Sequence, residues 1–553
     1  MANQITDNRT LVDSFDTVTN ADDLTGAAAG TQDTEIFIQG SASVGQYITS
    51  SIDGILYDAG TAQNWSGNVF YLWINCGIVG LLATKAAGGM RIRFCGNTVT
   101  DWFEVYVAGS DDWPAAAQGG WTQFVVDIDE ARSQAVTNGW TNGTVPLTSA
   151  IRYVGYAAVT GGTMPRMVDN TWLDEVRRLP ANTPGIVVEG RNGGTTPWDS
   201  ADIYAQLGDA VGTFVPSAGG AWKINTPIQI GINDTTVHEF SDSNAIWLWD
   251  DAEYLPDDVY KISALGNAGG TTNVTFGNSS GTGDDASGSQ GLTVSAAAPN
   301  GARWDMDFND PNLDAINLYG CSFQHGGTFD LDSSAVSCIS DLYIDCVQAN
   351  VQDSQQLKCS VINAATADGA AFMVTDNFGD IVRCSFEFSD GHAIEITSVA
   401  VSPQNNKGNS FTGYTNTADS TDAAIYLSAA GNPNLTIDSS DGSNLQTASW
   451  RTLGTGTVTI NNNIAVTFTG LEDNTEVRVY RTSDDVELAG IENATDGVAG
   501  NRSFTASIAA SVDTYYMIHN IDYVTIRVED FLWPSSDTTL PVQQQFDRVY
   551  ENP

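Results

Sequence analysis

The chain has 553 residues, of which 42% are apolar and 16% are charged, with 67 acidic against 22 basic residues and a formal net charge of −45. This length predicts several domains, and the apolar fraction is sufficient for their cores. A chain this acidic offers no basic stripe, so we expect neither nucleic acid nor an anionic membrane surface as a partner. The acidity itself fits a simple gain in solubility, life in salty water or the binding of divalent cations.

Three further features argue against export, membrane insertion and metal-based folding. The first ten residues contain neither a basic n-region nor an apolar h-region, so we expect no secretory signal. No apolar run reaches the roughly 18 residues of a membrane span, so we expect no membrane insertion. The seven cysteines are an odd number, which argues against a disulfide framework, and the lack of any Cys-x-x-Cys pair argues against zinc.

The first third of the chain predicts a β-sandwich. Residues 1–25 are expected to form a polar lead-in, and residues 26–178 contain short runs of β-branched and aromatic residues separated by Gly, Asn and Asp. One helical segment is expected at 129–135. The predicted strands are 35–39, 67–75, 90–94, 102–107, 121–127, 151–156 and 172–177.

A recurring pattern in the middle of the chain predicts a stacked solenoid. It lies in residues 222–462, after a linker at 179–221 that contains one short helix within 199–209. A coil of this size cannot bury its own apolar face, so coils must stack, and we expect the recurring cysteines to be small apolar residues in an inward column. Three of the four steps between the key residues are 25 residues and the other is 13; these residues are Cys321, Cys346, Cys359, Cys384 and Asn409.

The C-terminal part predicts a second, smaller sandwich. Residues 463–530 contain strands that alternate with period two, as in an immunoglobulin-like or prealbumin-like domain. Residues 531–553 predict an extended tail. Because its apolar residues are interspersed with polar ones, we expect the tail to cover a partner surface, such as that of a neighbouring subunit.

Asp305 and Asp307 form the first candidate site. They belong to a stretch with four carboxylates within ten residues, and side chains two positions apart in a strand share one face. Three interpretations are open: a solvated strand face next to a polar turn, a calcium site, or the acid and base of a glycosidase.

Asp390, His392 and Glu395 form the second candidate. A carboxylate neighbour is expected to keep a histidine charged near neutral pH, which suits acid–base catalysis. The same stretch also fits a tight turn between two faces of a coil, because Ser389, Asp390 and Gly391 together form a turn signal.

The first domain contains two further kinds of candidate. Trp65, Trp113 and Trp140 lie in predicted turns, where an exposed ring can stack on a sugar, whereas tryptophans inside strands are expected in the core. Asp127 and Asp129 are candidates for a structural calcium ion, because their carboxylates lie two residues apart. Calcium is thus the one cofactor that the sequence suggests.

Two resemblances follow from these elements. The segment Trp-Thr-Gln-Phe-Val-Val-Asp-Ile-Asp at 121–129 and the closing strand Trp-Leu-Asp-Glu-Val-Arg at 172–177 are similar to jelly-roll carbohydrate-binding modules and concanavalin-like lectin domains. Coils such as Leu-Tyr-Gly-Cys-Ser-Phe at 318–323, with a sandwich before them and a small β-domain after them, resemble bacteriophage tail spikes and fibres. This second resemblance is strongest over residues 220–460.

The resemblance to spikes and fibres implies a fold, a location and a role. It implies a right-handed parallel β-helix in a homotrimer that binds host cell-surface polysaccharide, and some proteins of this group cleave it. A virion protein made in the host cytoplasm, assembled with other virion proteins and released by lysis needs no export signal. A bacterial surface adhesin would need the export signal that we do not expect here.

Catalysis is the alternative to binding. A tail-spike polysaccharide depolymerase, either a glycosidase or a lyase, fits the same architecture. Lyases built on a β-helix need a basic group and calcium near the scissile uronate, and the sequence offers only scattered arginines such as Arg303 and Arg383. The sequence therefore favours a binding fibre over an enzyme, and it leaves attachment to the tail or to the head open.

Overall fold

Nearly all of the regular structure in the computed structural model is β-strand, so the protein is all-β, as predicted. None of the helices within the described residues is long and apolar enough to cross a membrane. The structure describes residues 4–28, 30–37, 40–48, 52–113, 121–161, 171–207, 214–215, 221–223, 226–249, 261–266, 269–280, 287–296, 303–333, 335–350, 356–358, 360–365, 367–375, 381–387, 389–397, 404–405, 409–429, 434–438, 449–454, 457–461, 463–494, 502–509, 512–534 and 538–545.

The chain divides into two compact units. The first comprises Met1–Ser280, Gly288–Ser337 and Asp341–Val347. The second comprises Gly281–Ser287, Cys338–Ser340 and Gln348–Pro553.

The N-terminal two-sheet region, residues 4–180, belongs to the first unit. Its elements are β1 (Gln4–Asp7), β2 (Thr10–Asp13), β3 (Ala21–Asp22), β4 (Thr31–Asp33), β5 (Ser43–Gln46), β6 (Ile52–Gln63), β7 (Asn68–Cys76), β8 (Met90–Cys95), β9 (Trp102–Ala108), β10 (Trp121–Asp127), α1 (Ile128–Asn138), β11 (Thr141–Asn142), β12 (Ile151–Val159) and β13 (Thr171–Pro180), with 3-10 turns at Val79–Leu81, Lys85–Ala87 and Thr148–Ala150. One antiparallel sheet has the order β10-β7-β13-β5-β4, with β2 also on β13, and the other has the order β11-β9-β8-β12-β6-β3. The two sheets share one apolar core, in which the rings of Phe70 and Phe94 lie 5.4 Å apart.

Most of the predicted elements of this region are confirmed. The helix predicted at 129–135 is α1, and it begins where it does because the Asp127 carboxylate accepts hydrogen bonds from the N–H groups of Asp129 and Glu130 at 2.8 and 2.9 Å. The strand predicted at 35–39 is wrong for the residues that the structure describes. Glu35 starts a turn there, because Asp33 accepts its N–H at 2.8 Å.

Short strands follow, most of them in the first unit and most of them paired in parallel. They are β14 (Ile186–Glu189), β15 (Phe214–Val215), β16 (Ala221–Lys223), β17 (Ile228–Ile230), β18 (Val237–Asp242), β19 (Ile246–Trp249), β20 (Lys261–Ala264), β21 (Thr271–Phe276), β22 (Asn278–Ser280), β23 (Ser287–Ser289), β24 (Thr293–Ala296), β25 (Trp304–Asp307), β26 (Ala315–Tyr319), β27 (Ser322–Gln324), β28 (Gly326–Asp330), β29 (Val336–Ile339) and β30 (Leu342–Cys346). The predicted short helix is confirmed as α2 (Ser200–Leu207). Three parallel series run through this part: β14-β17-β20-β25-β28, β16-β19-β24-β27-β30 and β18-β21-β26. The chain visits the three series in turn, and we call one such circuit a coil.

The first parallel series is closed at one edge by the N-terminus. β1 pairs antiparallel with β14, so the outer edge of β14 is hydrogen-bonded instead of open to other strands. Residues 1–25 were expected to be a polar lead-in, and they contain this strand together with β2 and β3.

Parallel strands also occur in the second unit. They are β31 (Gln348–Asn350), β32 (Gln356–Lys358), β33 (Val361–Ala364), β34 (Ala371–Thr375), β35 (Ile381–Val382), β36 (Ser385–Glu387), β37 (His392–Ile396), β38 (Gln404–Asn405), β39 (Ser410–Thr412), β40 (Ile425–Leu427), β41 (Asn434–Asp438), β42 (Trp450–Thr452) and β43 (Thr457–Asn461). The series are β31-β34-β37-β40-β42, β33-β36-β39, β32-β35 and β38-β41-β43.

The inward position of the cysteines is confirmed wherever the structure describes them. Burial raises the pKa of the Cys346 thiol to about 12, so this thiol is inert. Cys359 lies outside the described residues. The buried cysteines are Cys76, Cys95, Cys321, Cys338, Cys346 and Cys384.

The predicted step of 25 residues is right for one pair and wrong for another. The N–H of Cys384 donates to Asn409 Oδ1, 25 residues later, at 2.9 Å, as the spacing predicts. The N–H of Cys321 donates instead to Asp341 Oδ1, 20 residues later, at 2.7 Å. Asp341, and not Cys346, is therefore the counterpart of Cys321 in the next coil, because coil length varies with the loops between strands.

The C-terminal two-sheet region, residues 463–545, belongs to the second unit. Its strands are β44 (Asn463–Thr469), β45 (Thr475–Arg481), β46 (Glu487–Ala494), β47 (Ser503–Ala509), β48 (Asp513–Asn520), β49 (Tyr523–Leu532) and β50 (Thr538–Pro541). They form a three-stranded sheet, β47-β44-β50, and a four-stranded sheet, β46-β45-β48-β49. The core between them contains Phe468, Val477 and the fully buried Trp533.

The described part of the tail is extended and contacts its own domain. β50 pairs parallel with β44 of the same chain, and Leu540 and Val542 pack against the core of the C-terminal two-sheet region. The Gln544 side chain also accepts a hydrogen bond from the Glu472 N–H at 2.8 Å. This part of the tail therefore covers a surface of its own domain. Residues 546–553 lie outside the described residues.

Candidate functional site

A polar pocket of about 580 Å³ lies on the outward face of the first parallel series. Residues of β17, β20 and β25 line it, together with the segments 182–184 and 309–311. Its volume falls within the range of roughly 300–1,000 Å³ that is typical of small-molecule sites. The polar side chains that matter most are Asn182, Gln229, Lys261, Asp305, Asp307 and Asp310.

The parallel register brings the lining residues together. Lys261 of β20 is paired with Asp305 of β25, and Ser263 is paired with both Gln229 and Asp307. Residues that are far apart in the sequence thus become neighbours in two short outward columns. Because side chains alternate along a strand, the intervening residues face inward and are buried; they are Ile228, Ile262 and Met306.

Two of the charged side chains in the pocket form an ion pair. Lys261 Nζ lies 2.5 Å from Asp307 Oδ2, and the two side chains are 41% and 34% exposed. A pair this exposed contributes at most about 1 kcal/mol to stability, so its main effect is on the local charge. Asp305 is oriented separately, because its Oδ1 accepts the N–H of Thr328 at 2.7 Å.

The loop after β25 supplies a third carboxylate. Asp310 Oδ1 accepts the N–H of Asn312 at 2.8 Å, and Asp310 Oδ2 accepts the N–H of Gly266 at 3.3 Å. The neighbouring Asn309 donates to Asp330 at 2.6 Å. These bonds hold the loop against the adjacent coils, so the pocket is preformed.

The predicted pair Asp305 and Asp307 is thus brought into one pocket. Carboxylate and amide oxygens that face a cavity of this size are suited to accept hydrogen bonds from ligand hydroxyls. The geometry does not support the calcium interpretation, because the Asp307 carboxylate forms an ion pair with Lys261. Within the described part of the chain, no three His, Cys, Asp or Glu side chains form a group that fits a metal ion.

A second polar cluster lies in the same unit, and the sequence analysis did not bring it together. His325 Nδ1 lies 2.5 Å from Asp345 Oδ2, and Arg303 Nη2 lies 3.4 Å from Asp345 Oδ1. His325 and Asp345 follow the paired residues Gln324 and Ile344, so they occupy equivalent corners of successive coils. This equivalence depends on the 20-residue step between coils, which the regular spacing of the cysteines had hidden.

The backbone at both corners is left-handed. His325 has φ +55° and Asp345 has φ +53°, values that are uncommon for residues other than glycine. Nε2 of His325 makes no hydrogen bond to any residue that the structure describes. The cluster is therefore a histidine oriented by a carboxylate, with its second nitrogen available to a ligand.

The prediction that His392 is charged near neutral pH is wrong. The ring is fully buried, and burial is the main cause that lowers its pKa. Its Nδ1 lies 2.5 Å from the carbonyl oxygen of Ala423, and its Nε2 lies 3.4 Å from Arg451 Nη1. Because a carbonyl only accepts and a guanidinium only donates, a neutral ring with its proton on Nδ1 satisfies both contacts.

The two carboxylates predicted to accompany His392 do not contact it. Glu395 is half-buried in β37 and pairs in register with Tyr426, and Asp390 is exposed in the turn before β37. Among the described residues, neither carboxylate forms a hydrogen bond or an ion pair with the histidine. The Ser389 side chain bonds to Gly391 at 3.3 Å, as expected of a tight turn. This geometry favours the turn interpretation over catalysis.

The prediction of exposed tryptophans is wrong for two of the three. Trp65 and Trp113 are only 4% and 5% exposed, and the ring of Trp65 packs on Phe70 at 5.1 Å. Trp140 is half-buried and stacks on Tyr106 at 4.2 Å. A ring of this size removes about 150–250 Å² from water when it is buried, so a turn next to the core directs it inward.

Asp127 and Asp129 are used within the protein's own hydrogen bonds. Asp127 caps α1, and burial raises its pKa. Asp129 Oδ2 accepts the N–H of Gly67 at 2.6 Å and the Ser66 hydroxyl at 3.3 Å. Both carboxylates therefore hold the start of the helix in place.

No known protein family matches the sequence, and no curated protein is detectably similar to it. A functional assignment therefore rests on the parallel series and on the pocket that they carry.

Proposed function

We propose that the protein is a structural component of a bacteriophage virion, a trimeric fibre or spike that binds a host cell-surface glycan through the pocket around Lys261. In this proposal the parallel strands wind as a right-handed β-helix and form a stiff shaft. The N-terminal two-sheet region is a jelly roll, and the C-terminal two-sheet region is an immunoglobulin-like or prealbumin-like sandwich.

One observation carries the binding role: a preformed polar pocket on the outward face of the parallel series. Its hydrogen-bonding groups come from three successive strands and a loop, so they are held at fixed positions. Three prolines in the lining, Pro184, Pro227 and Pro311, add rigid apolar surface for the carbon face of a sugar ring. Glycan recognition needs this combination of hydroxyl partners and apolar contact.

Assembly into a homotrimer is supported by a general property of stacked coils. The outer strands of such a stack expose hydrogen-bonding edges that neighbouring domains or subunits must cover. A net charge of −45 opposes association, so the contacting flanks must be apolar or bridged by cations. Native mass spectrometry is expected to give the mass of a trimer, and a stable monomer would contradict this part of the proposal.

A glycan array tests the binding role. The purified protein is expected to bind a small set of bacterial surface oligosaccharides, and the pocket-filling variant Ser263→Trp is expected to lose those signals. Ser263 is half-buried on the outward side of β20, where a large side chain occupies the cavity without entering the core. Unchanged binding by this variant would remove the pocket from the proposal.

Immunogold labelling tests the location. An antibody against the chain is expected to decorate purified phage particles at the tail or at the head, and either position fits the proposal. Its absence from intact particles would contradict a virion role.

A polysaccharide depolymerase is the second candidate, because Asp305 and Asp307 line one pocket and are suited to act on a bound glycan. Incubation of the protein with the glycan that it binds would release reducing ends or unsaturated uronate. Asp305→Asn and Asp307→Asn would then each abolish release while binding persists. Binding without release favours the fibre.

A further inference from the structure

The ion pair between Lys261 and Asp307 leaves hydrogen-bonding capacity on both of its members. Lys261 Nζ contacts Asp307 Oδ2 at 2.5 Å, and among the described residues neither side chain has another hydrogen bond or ion pair. An ammonium carries three donors and a carboxylate has two acceptor oxygens, so donors of Nζ and the second oxygen, Asp307 Oδ1, remain for a ligand. Both side chains line the pocket, so a ligand inside it can reach them.

Other side-chain donors of the lining are engaged within the protein. Gln229 and Ser263 donate to backbone carbonyl oxygens at 2.8 and 3.3 Å. Asn309 donates to the Asp330 carboxylate at 2.6 Å. Hydrogen bonds from a charged group are stronger than those from neutral groups, so Lys261 is the strongest donor that the lining offers to a ligand.

The pair also holds its two members in place. The side chains of Lys261 and Asp307 are 41% and 34% exposed, and a pair this exposed adds little to the stability of the fold. Each side chain nevertheless restricts the rotation of the other, so less conformational entropy is lost when a ligand binds. A donor and an acceptor are therefore presented side by side before the ligand arrives.

The chemistry of the pair defines the ligand groups that match it. A ligand that uses both members must accept a hydrogen bond from Lys261 Nζ and donate one to Asp307 Oδ1. A hydroxyl group can do either, so two hydroxyls on neighbouring carbons of a sugar ring can satisfy both members at once. A ring carbon that lacks its hydroxyl leaves one member of the pair without a ligand partner.

We infer that the pocket recognises sugars through a vicinal diol, in which one hydroxyl accepts from Lys261 and the other donates to Asp307. This inference rests on the proposed glycan-binding function and adds the chemical feature that is recognised. Its ligands are sugars with two free hydroxyls on adjacent carbons, and sugars that are deoxygenated at either carbon bind more weakly.

A glycan array printed in two forms tests this inference. Bacterial surface oligosaccharides are printed untreated and after mild periodate oxidation followed by borohydride reduction. Periodate cleaves the carbon–carbon bond between the two hydroxyl-bearing carbons, and borohydride converts the resulting aldehydes to alcohols. Signals are expected to fall at least about 10-fold on the oxidised set, which corresponds to the loss of one hydrogen bond to a charged group.

Monodeoxy analogues of the oligosaccharide with the strongest array signal assign the two hydroxyls in solution titrations. For the wild type, removal of either hydroxyl is expected to weaken binding at least about 10-fold. Lys261→Met keeps the length of the side chain but removes the donor, so it is expected to become insensitive to the loss of one hydroxyl and to stay sensitive to the loss of the other. Asp307→Ala is expected to show the reverse pattern.

Arg481→Met is the matched control, because it breaks a similarly exposed ion pair outside the pocket. Arg481 Nη1 lies 3.0 Å from Asp484 Oδ2 in the C-terminal two-sheet region, and the two side chains are 44% and 43% exposed. This variant is expected to bind the oligosaccharide and both deoxy analogues as the wild type does.

The outcomes separate the inference from the proposed function. Binding that Ser263→Trp abolishes but that periodate and deoxygenation leave unchanged would overturn the inference and preserve the glycan-binding function. Equal sensitivity of the wild type and of Lys261→Met to both deoxy analogues would also overturn it, because the hydroxyls would then bind elsewhere. Binding of no glycan in either form of the array would overturn both.

Discussion

The outward and inward columns of side chains come from the same parallel strands, but they differ in what they contact. In β25, Asp305 faces the pocket, while its neighbour Trp304 is fully buried with Phe329 at 4.7 Å. The outward column brings charges from different coils side by side, and the inward column stacks rings and small apolar groups. In the proposed function, a single alternation of side chains thus separates the residues for binding from those for stability.

The inward columns also contain polar side chains, and some of these accept hydrogen bonds from backbone N–H groups. Asp341 accepts the N–H of Cys321, and Asn409 accepts that of Cys384 in the same way. His392 is fully buried, and its ring nitrogens contact the carbonyl oxygen of Ala423 and the guanidinium of Arg451. We therefore expect outward substitutions to change binding alone and inward substitutions to change stability alone, and four variants test this separation.

The largest effect is expected from Trp304→Ala. Trp304 fills the interior with Phe323 and Phe329, and its indole N–H donates to the carbonyl oxygen of Gln324 at 2.8 Å. Removal of such a ring is expected to lower the unfolding free energy by about 3–5 kcal/mol in urea titrations. The adjacent outward variant Asp305→Asn serves as the control and is expected to change it by no more than about 0.5 kcal/mol. An equal loss of unfolding free energy in the two variants would contradict the distinction between the inward and outward columns.

Ser263→Trp is expected to have the next largest effect, this time on binding. The indole fills the pocket, so the affinity for a glycan is expected to fall by at least about 100-fold, or 2.7 kcal/mol, in titration calorimetry. Ser322→Trp places the same side chain on the outward, half-buried side of β27, outside the pocket lining. Ser322→Trp is expected to bind the glycan normally. An equal loss of binding in both variants would indicate that the tryptophan disturbs the strand pairing and does not act by filling the pocket.

His392→Phe probes a buried polar group through pH. Because burial lowers the pKa of His392, the unfolded chain binds a proton below about pH 6.5 that the folded ring resists, so wild-type stability falls as the pH drops through this range. At pH 8 the variant is expected to be about 1–3 kcal/mol less stable, since the carbonyl of Ala423 loses its donor. The difference in unfolding free energy between the wild type and the variant is expected to be smaller at pH 5. The same difference at pH 5 and pH 8 in denaturant titrations would contradict a neutral His392 ring.

Asp341→Asn is expected to have the smallest effect, and it is a gain. Burial raises the pKa of Asp341 well above its usual value, so the folded state holds a proton that the unfolded chain releases above about pH 4, and stability falls as the pH rises. Asparagine keeps the acceptor for Cys321 without this cost, and the melting temperature at pH 7 is expected to rise by about 2–4 °C. The reverse variant, Asn409→Asp, is expected to lower it, and a lower melting temperature for Asp341→Asn would contradict the comparison of the two caps.

The sequence predicted the parts of this structure that depend on local pattern. Helix α1 and most strands of the N-terminal two-sheet region follow from alternation and turn residues, and the burial of Cys321 and Cys384 follows from their apolar surroundings. The pairing between coils could not be predicted, because coil length varies with the loops. The expected 25-residue partner of Cys321 was therefore wrong by five residues.

The candidate sites show the same limit. Asp305 and Asp307 were found because they are neighbours in one strand, whereas Lys261 was missed because it joins them only through the parallel register. His392 and Glu395 were grouped because they are close in sequence, although strand geometry and burial keep them apart. Proximity along a strand is a weaker guide to a site than proximity across coils.

A crystal structure of the protein with a glycan found on the array tests the central claim most directly. We predict density for the sugar in the pocket, with its hydroxyl groups within hydrogen-bond distance of the lining side chains, such as Asp307 and Asp310. Density for the glycan on the N-terminal two-sheet region, around Trp140 for example, with the pocket empty, would contradict this account.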